Sequence, residues 1–303
     1  YIKAEHRDQL YSLFNQYFEV MLECTHRIRT PFAVSDGWLC IMATRLMSSM
    51  MESETELYCQ PAVEVPEDEE PDEDADLGQN FMDREVMIAQ IFWFACVWTC
   101  GACSDTDGRL FVCDILRSCV ENKKDLLQKF NFFADFNKVE LTGGGAIPPP
   151  PRKGLIHDLY PDPTDQGKWK PWTDKIQNFD IPKGTPYHTI VVPTADTVRN
   201  QFVIKVLIEK NFNILISGPT GTAKTASING MLLQGFSADE YSTISFAFSA
   251  QTTANQCQDV VDGKLDKRKK GTFGPPPGKK MLVFIDDLNM PFKEEYGAQP
   301  PIE

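Results

Sequence analysis

Residues Gly218 to Thr225 read Gly-Pro-Thr-Gly-Thr-Ala-Lys-Thr, and 62 residues after Lys224 the apolar run Met281-Leu282-Val283-Phe284-Ile285 ends in two carboxylates, Asp286-Asp287. The first string has the composition of a phosphate-binding loop. Small residues let successive backbone N–H groups turn inward, and a following helix N-terminus adds the positive end of its dipole. In that pattern Gly218, Pro219, Thr220, Gly221, Thr222 and Ala223 form the cradle, Lys224 reaches the β- and γ-phosphates of a nucleoside triphosphate, and Thr225 holds Mg²⁺. One position departs from it: the second glycine is Ala223, which puts a methyl group where the backbone passes closest to phosphate. Asp286, at the C-terminal end of a buried strand, would hold the Mg²⁺ through water, and Asp287 would polarise an attacking water. Taken alone the two carboxylates equally describe an acidic loop after a core strand. Their position after Gly218 to Thr225, in that order, is what points to a nucleotide site.

These residues need a sheet and a helix to hold them. Phe212-Asn213-Ile214-Leu215-Ile216-Ser217 predicts a strand running into the phosphate loop, and the unbroken apolar runs fit strands covered on both faces, as in a parallel sheet. From Tyr187 onward the pattern reads strand 188–192, helix 194–210, strand 212–217, helix 224–233, strand 242–249 and helix 252–261. That alternation is the signature of an α/β nucleotide domain over 187–303. The stretch Gly263 to Gly278, with Lys264, Lys267, Arg268, Lys269 and Lys270, reads as a solvated hairpin inserted between strands rather than a binding patch.

Residues 1–140 read differently. Leu13, Phe14, Tyr17, Phe18, Met21 and Leu22 recur at helical spacing and Pro31 ends that helix. A second helix starts at Asp36, with Trp38, Leu39, Met42, Leu46 and Met50 on its apolar side. A third runs from about Asp83 to Trp98, so aromatic that it must be buried. After a turn at Asp105 to Gly108, a fourth spans roughly Leu110 to Phe130 with Phe111, Ile115, Cys119, Leu126 and Phe130 inward. Residues 141–186, from Gly143-Gly144-Gly145 through Pro148 to Pro151 and Trp169, Trp172 and Pro182, read as an extended connecting segment whose tryptophans anchor it on a neighbouring domain.

The chain has 303 residues, enough for about two domains, with 42% hydrophobic residues and a net charge of −13. The charge excludes a general nucleic-acid binder, which needs a basic face. Nine of the thirteen residues from Glu64 to Asp76 are acidic, the composition of a disordered, solvated loop over 61–80. Nine scattered cysteines read as reduced thiols in a cytosolic setting. Cys100 and Cys103 have ligand spacing but no second pair to complete four ligands. The longest apolar stretch, Val86 to Val97, is too short to span a bilayer, so no membrane partner is expected. Tyr1 opens inside a helical pattern without an initiator Met, and the chain is expected to be part of a longer polypeptide.

The phrases His188-Thr189-Ile190-Val191-Val192-Pro193-Thr194, Gly218 to Thr225, Phe248-Ser249-Ala250-Gln251-Thr252-Thr253, Lys264 to Arg268 and Phe284 to Pro291 together resemble the AAA+ motor modules of axonemal dynein heavy chains. The resemblance is clearest over about 185–303, which is similar to the large subdomain of the third ring module. Residues 1–140 resemble, more weakly, the all-helical small subdomain closing the second. The family implies an α/β P-loop NTPase fold binding ATP or ADP with Mg²⁺. Val191, Val192, Pro193 and Thr194 would pack against adenine, and Asp287 would stand where the family has a catalytic glutamate. Implied partners are neighbouring AAA+ modules of the same chain and, through the rest of the chain, the microtubule and dynein intermediate and light chains. The implied location is the cytoskeleton of a ciliary or flagellar axoneme. Sensor, lid and arginine-finger residues would lie outside 1–303. Three readings follow: a regulatory ATP-binding motor module, a structural ring module that keeps its nucleotide, and an unrelated P-loop kinase or GTPase. The last lacks its guanine-reading motif, since Asn137-Lys138-Val139-Glu140 precedes the loop and ends in Glu.

Overall fold

The computed structural model describes residues 4–52, 84–121, 123, 127–128, 147–176 and 192–303. The acidic run, Leu126, Phe130, the glycines at 143–145 and the expected strand segment 188–191 lie outside the described residues. The chain divides into two compact units: the first combines the described residues within 1–181 with 192–215, and the second takes in 216–303.

The first unit is built on aromatic helices. Helix α1 (Ala4–Leu13) continues through a wide π turn, Phe14–Phe18, into α2 (Glu19–Arg27). The π turn lets the adjacent Tyr17 and Phe18 both face inward, where Phe14 lies 5.3 Å from the Phe92 ring and Tyr17 5.0 Å from Trp93. Helix α3 (Asp36–Glu52) buries Leu39, Ala43, Leu46, Met47 and Met50. Its inner face is therefore rotated from the expected one: Trp38 is 62% exposed and Met42 lies outside the core. Leu39, Ala43, Leu46, Met47 and Met50 keep the three- and four-residue steps of one face, whereas Trp38 falls a residue off that stripe. Helix α4 (Arg84–Cys96), which runs into a second π turn at Val97–Gly101, is buried almost throughout. Helix α5 (Thr106–Val120) starts within the expected turn, because the Asp105 side chain caps it by accepting from the Gly108 amide at 2.9 Å.

The Pro- and Trp-rich stretch does not remain extended. Within 147–176 it makes a small antiparallel hairpin, β1 (Leu159–Asp162) with β2 (Lys168–Pro171). Trp172 is 1% exposed and packs 5.0 Å from the Tyr160 ring and 5.3 Å from Phe202. Gln90, wholly buried in α4, donates to the carbonyls of Pro148 at 3.0 Å and Gly167 at 2.9 Å, tying the hairpin to the helices. Proline and glycine hid this hairpin in the sequence, since its pairing is set by long-range anchors and not by alternation. Helix α6 (Ala195–Glu209), capped by Thr194 with a reciprocal bond to Thr197, also packs in this unit through Phe202, Val206 and Leu207.

Beside α4 the His157 ring fills the space against Gly101, where an added Cβ would stand 2.9 Å from the imidazole. Burial, and then the charges of Arg109 and Arg199, push its pKa down to about 3. Cys100 and Cys103 are buried within the same helical core, with the Cys103 thiol donating to the Cys100 carbonyl at 3.1 Å; all eight described cysteines are free thiols.

The second unit runs α7 (Lys224–Gln234), β3 (Tyr241–Ala247), α8 (Ala254–Asp262), the hairpin β4 (Asp266–Lys269) with β5 (Thr272–Gly274), and β6 (Lys280–Asp286). Strands β3 and β6 pair in parallel from Tyr241↔Lys280 to Ala247↔Asp286. The basic hairpin is solvated, with every residue of β4 exposed. The expected strand at 212–217 is not one: it has no ladder partner among the described residues, and Leu215 is 79% exposed. An apolar run supplies the propensity for a strand, but a strand exists only where a neighbour takes its backbone hydrogen bonds.

Two outcomes test the first unit. Replacing Gln90 with Leu strands the buried Gly167 carbonyl, while the Pro148 carbonyl keeps the Trp169 indole N–H at 3.1 Å, and is expected to cost about 2 kcal/mol in chemical unfolding. The unfolded imidazole protonates near its ordinary pKa of 6.5 while folded His157 stays neutral down to about 3. The unfolded state therefore binds the extra proton, and stability falls as pH drops from 6.5 toward 3, by at most about 1.4 kcal/mol per pH unit. Urea unfolding across that range should show a shallower slope for His157→Gln than for the native chain.

Candidate functional site

The second unit assembles its polar centre where β6 ends and α7 begins. The parallel ladder carries Asp286 to the C-terminal edge of the sheet, opposite Ala247, and the Phe248 amide extends it by donating to the Asp286 carbonyl at 2.9 Å. That edge is where open α/β sheets place their ligands. Helix α7 starts at Lys224, and its first-turn N–H groups have no acceptor within the helix. The Thr225 hydroxyl donates to Asp286 Oδ2 at 2.6 Å, joining groups 61 residues apart. The other oxygen, Oδ1, accepts the Asp287 amide at 3.0 Å. Both oxygens of one carboxylate thus brace the loop, the helix and the turn after β6.

The loop itself is held by Lys224, whose ammonium donates to the carbonyls of Gly218 at 2.9 Å and Pro219 at 2.6 Å. Thr222 adds a hydroxyl bond to Pro219 at 2.9 Å. Two positions turn left-handed: Gly221 at φ 83°, and Ala223 at φ 56° and ψ 24° directly before the helix. For an alanine that conformation costs roughly 1–2 kcal/mol. The physical content of the missing second glycine is therefore backbone strain, beyond the methyl group noted in the sequence.

Asp287 is also left-handed, at φ 51°, a region that Asp tolerates better than most residues. Its carbonyl accepts from the Met290 amide at 2.9 Å to close a tight turn. Past that turn Gln299 folds back, its carboxamide donating to the Pro291 carbonyl at 2.6 Å and, at a longer 3.4 Å, to Asn289. Sequence reasoning missed Gln299, since nothing local marks a loop that doubles back over eight residues. It also missed Asn229 on α7, whose carbonyl oxygen accepts the Ser245 hydroxyl of β3 at 3.2 Å.

Gly218 to Thr225, Asp286 and Asp287 therefore converge in one unit. Val192, Pro193 and Thr194 belong to the first unit, where Thr194 caps α6 and Val192 is 58% exposed; Val191 lies outside the described residues. The paired oxygens of Thr225 and Asp286 are hard donors of the kind Mg²⁺ selects, so the residues present fit that ion. No helix among the described residues is long and apolar enough to cross a membrane.

Comparison with known proteins bears on both units. A family model described as the P-loop containing dynein motor region matches residues 179–303, and one described as the dynein heavy chain AAA lid domain matches 10–174. Dynein axonemal heavy chain 12 of Rattus norvegicus is 35% identical over 310 residues, covering 99% of this chain and 9% of its own length. Dynein axonemal heavy chain 3 of Homo sapiens is 33% identical over 308 residues, covering 100% of this chain and 7% of its own. Dynein axonemal heavy chain 1 of Rattus norvegicus is 48% identical over 135 residues, 45% of this chain and 3% of its own. The chain thus spans less than a tenth of the length of these curated relatives.

The left-handed alanine generates a direct test. Ala223→Gly is expected to stabilise the second unit by about 1 kcal/mol, while Ala223→Val, β-branched in the same conformation, should destabilise it by at least as much. Chemical unfolding of the two variants beside the native chain measures both.

Proposed function

Since the chain belongs to the dynein heavy chain family, we propose that residues 187–303 form an ATP-binding, mainly regulatory AAA+ module of an axonemal microtubule motor. Residues 1–140 would be the helical small subdomain of the preceding module, with 141–186 connecting the two. The observation that carries this reading is the 2.6 Å bond from Thr225 to Asp286. It brings the phosphate loop and the acidic strand end together as the two halves of one site. Neighbouring modules of the same chain are the immediate partners, and the microtubule and the intermediate and light chains are reached through the rest of the polypeptide.

In this reading Lys224 exchanges its loop carbonyls for the β- and γ-phosphates, and the N–H groups of the loop and of α7 take the remaining phosphate oxygens. Val191 to Thr194 supply the adenine contacts. Thr225 and Asp286 would hold Mg²⁺, which on binding neutralises phosphate charge. Asp287 orients the attacking water. Its side chain is one methylene shorter than glutamate, and a misplacement of about 1 Å can cost on the order of a hundredfold in rate. Slow turnover suits a module whose nucleotide state biases its neighbours.

The strained Ala223 and the short Asp287 also favour a second reading, a structural module that keeps its nucleotide. The exchange rate of a labelled nucleotide separates the two: exchange on the timescale of motor turnover supports regulation, and a trapped nucleotide supports the structural role. Lys224→Ala is expected to weaken ATP binding by about ten- to a hundredfold. In the full-length motor, Asp287→Glu should raise hydrolysis at this site and Asp287→Asn should abolish it. Unchanged hydrolysis in both would remove the catalytic role of Asp287.

A further inference from the structure

We infer that Gln299 is a positioning residue for Asp287, acting through the turn that aims its carboxylate. The inference rests on the proposed role of Asp287 as the group that orients water.

The segment after β6 has little to hold it. Phe292 is 77% exposed and Tyr296 94% exposed, and from 289 to 297 only Pro291 is buried, so packing holds the loop at a single point. Its backbone is also short of donors, because Pro291, Pro300 and Pro301 have no N–H. Hydrogen bonds must therefore set its course. On the near side the turn is fixed by the Asp287 amide on Asp286 Oδ1 at 3.0 Å and by the Met290 amide on the Asp287 carbonyl at 2.9 Å. On the far side, among the described residues, the backbone ties the loop to the rest of the unit by one long bond, from the Phe292 amide to the Ala250 carbonyl at 3.3 Å, while the Glu294 amide on the Ala298 carbonyl at 2.9 Å and the Gly297 amide on the Glu294 carbonyl at 2.8 Å close a separate turn. The Gln299 carboxamide supplies the strong one, 2.6 Å to the Pro291 carbonyl, and its second contact, 3.4 Å to Asn289, falls inside the turn itself.

Gln299 can do this because it is held in turn. Its own carbonyl accepts the amides of Ile302 at 2.8 Å and Glu303 at 3.3 Å, and its amide reaches the Glu303 carboxylate at 3.4 Å. A carboxamide anchored on one tight turn thus clamps another, and the clamped turn begins at the left-handed Asp287. With a side chain one methylene short of glutamate, the reach of Asp287 toward a water depends on where its backbone is held. Loosening the exit of the turn swings the carboxylate without touching the phosphate loop, whose contacts run through Lys224, Thr225 and Asp286.

The test uses the full-length heavy chain with its other nucleotide sites inactivated. Gln299→Met keeps the size and removes the donors, Gln299→Glu keeps the shape with acceptors only, and Asp287→Asn serves as reference. Single-turnover hydrolysis is expected to fall about tenfold in both Gln299 variants, with affinity for ATP held within about twofold. Hydrogen exchange at the Met290 amide should quicken in both. Adding Gln299→Met to Asp287→Asn should slow hydrolysis no further. If Gln299→Met no longer binds nucleotide at all, Gln299→Glu decides. Native hydrolysis rates in the Gln299 variants beside a slow Asp287→Asn, or a rate lost only in proportion to affinity, would overturn the inference and leave the proposed function standing. Native hydrolysis in Asp287→Asn would overturn the catalytic reading and this inference with it.

Discussion

The site in the second unit depends on the register of two parallel strands. With Ala247 opposite Asp286, the last carboxylate of β6 falls at the sheet edge within reach of Thr225 at the start of α7. Side chains alternate faces along a strand, so a slip of one residue would turn Asp286 away and leave Thr225 facing an isoleucine or the loop. The same ladder continues through the Phe248 amide, which seats the carbonyl of Asp286 while its side chain braces helix and turn. One residue thus joins the ladder, the phosphate loop and the turn carrying Asp287.

Two departures from the usual motif fall on left-handed backbone. Ala223 and Asp287 both take positive φ, one entering the helix and the other leaving the strand. A glycine at 223 would adopt that conformation without a Cβ penalty, and an aspartate at 287 adopts it more readily than a longer or branched residue would. The first costs conformational energy, and the second leaves a carboxylate one methylene shorter than glutamate.

The first unit follows a different logic, in which aromatic packing and not polar geometry sets the arrangement. Phe92, Trp93, Phe94 and Trp172 are all 1% exposed or less, and aromatic burial on this scale dominates a core. The helices were legible because their apolar steps repeat every three or four residues. The inner face of α3 was not, because Trp38 and Leu39 are neighbours in sequence and only the partner helices choose between them. The hairpin at 159–171 was hidden for a related reason, its strands being fixed by Gln90 and Trp172 rather than by any pattern of their own.

The amino-acid sequence by itself determined the family the chain belongs to and pointed to a nucleotide site, because residue types at fixed short spacing, Gly218 to Thr225 and Asp286-Asp287, are legible in local order. It determined the helices for the same reason, periodicity being a local property. Tertiary structure alone decided that Thr225 meets Asp286, that Phe212 to Ser217 takes no strand partner among the described residues, and that Gln299 closes the turn after Asp287. Each of these depends on a hydrogen bond or a ladder between residues far apart in the chain. The partner of a backbone group is chosen by the folded neighbourhood, and no window of sequence contains it.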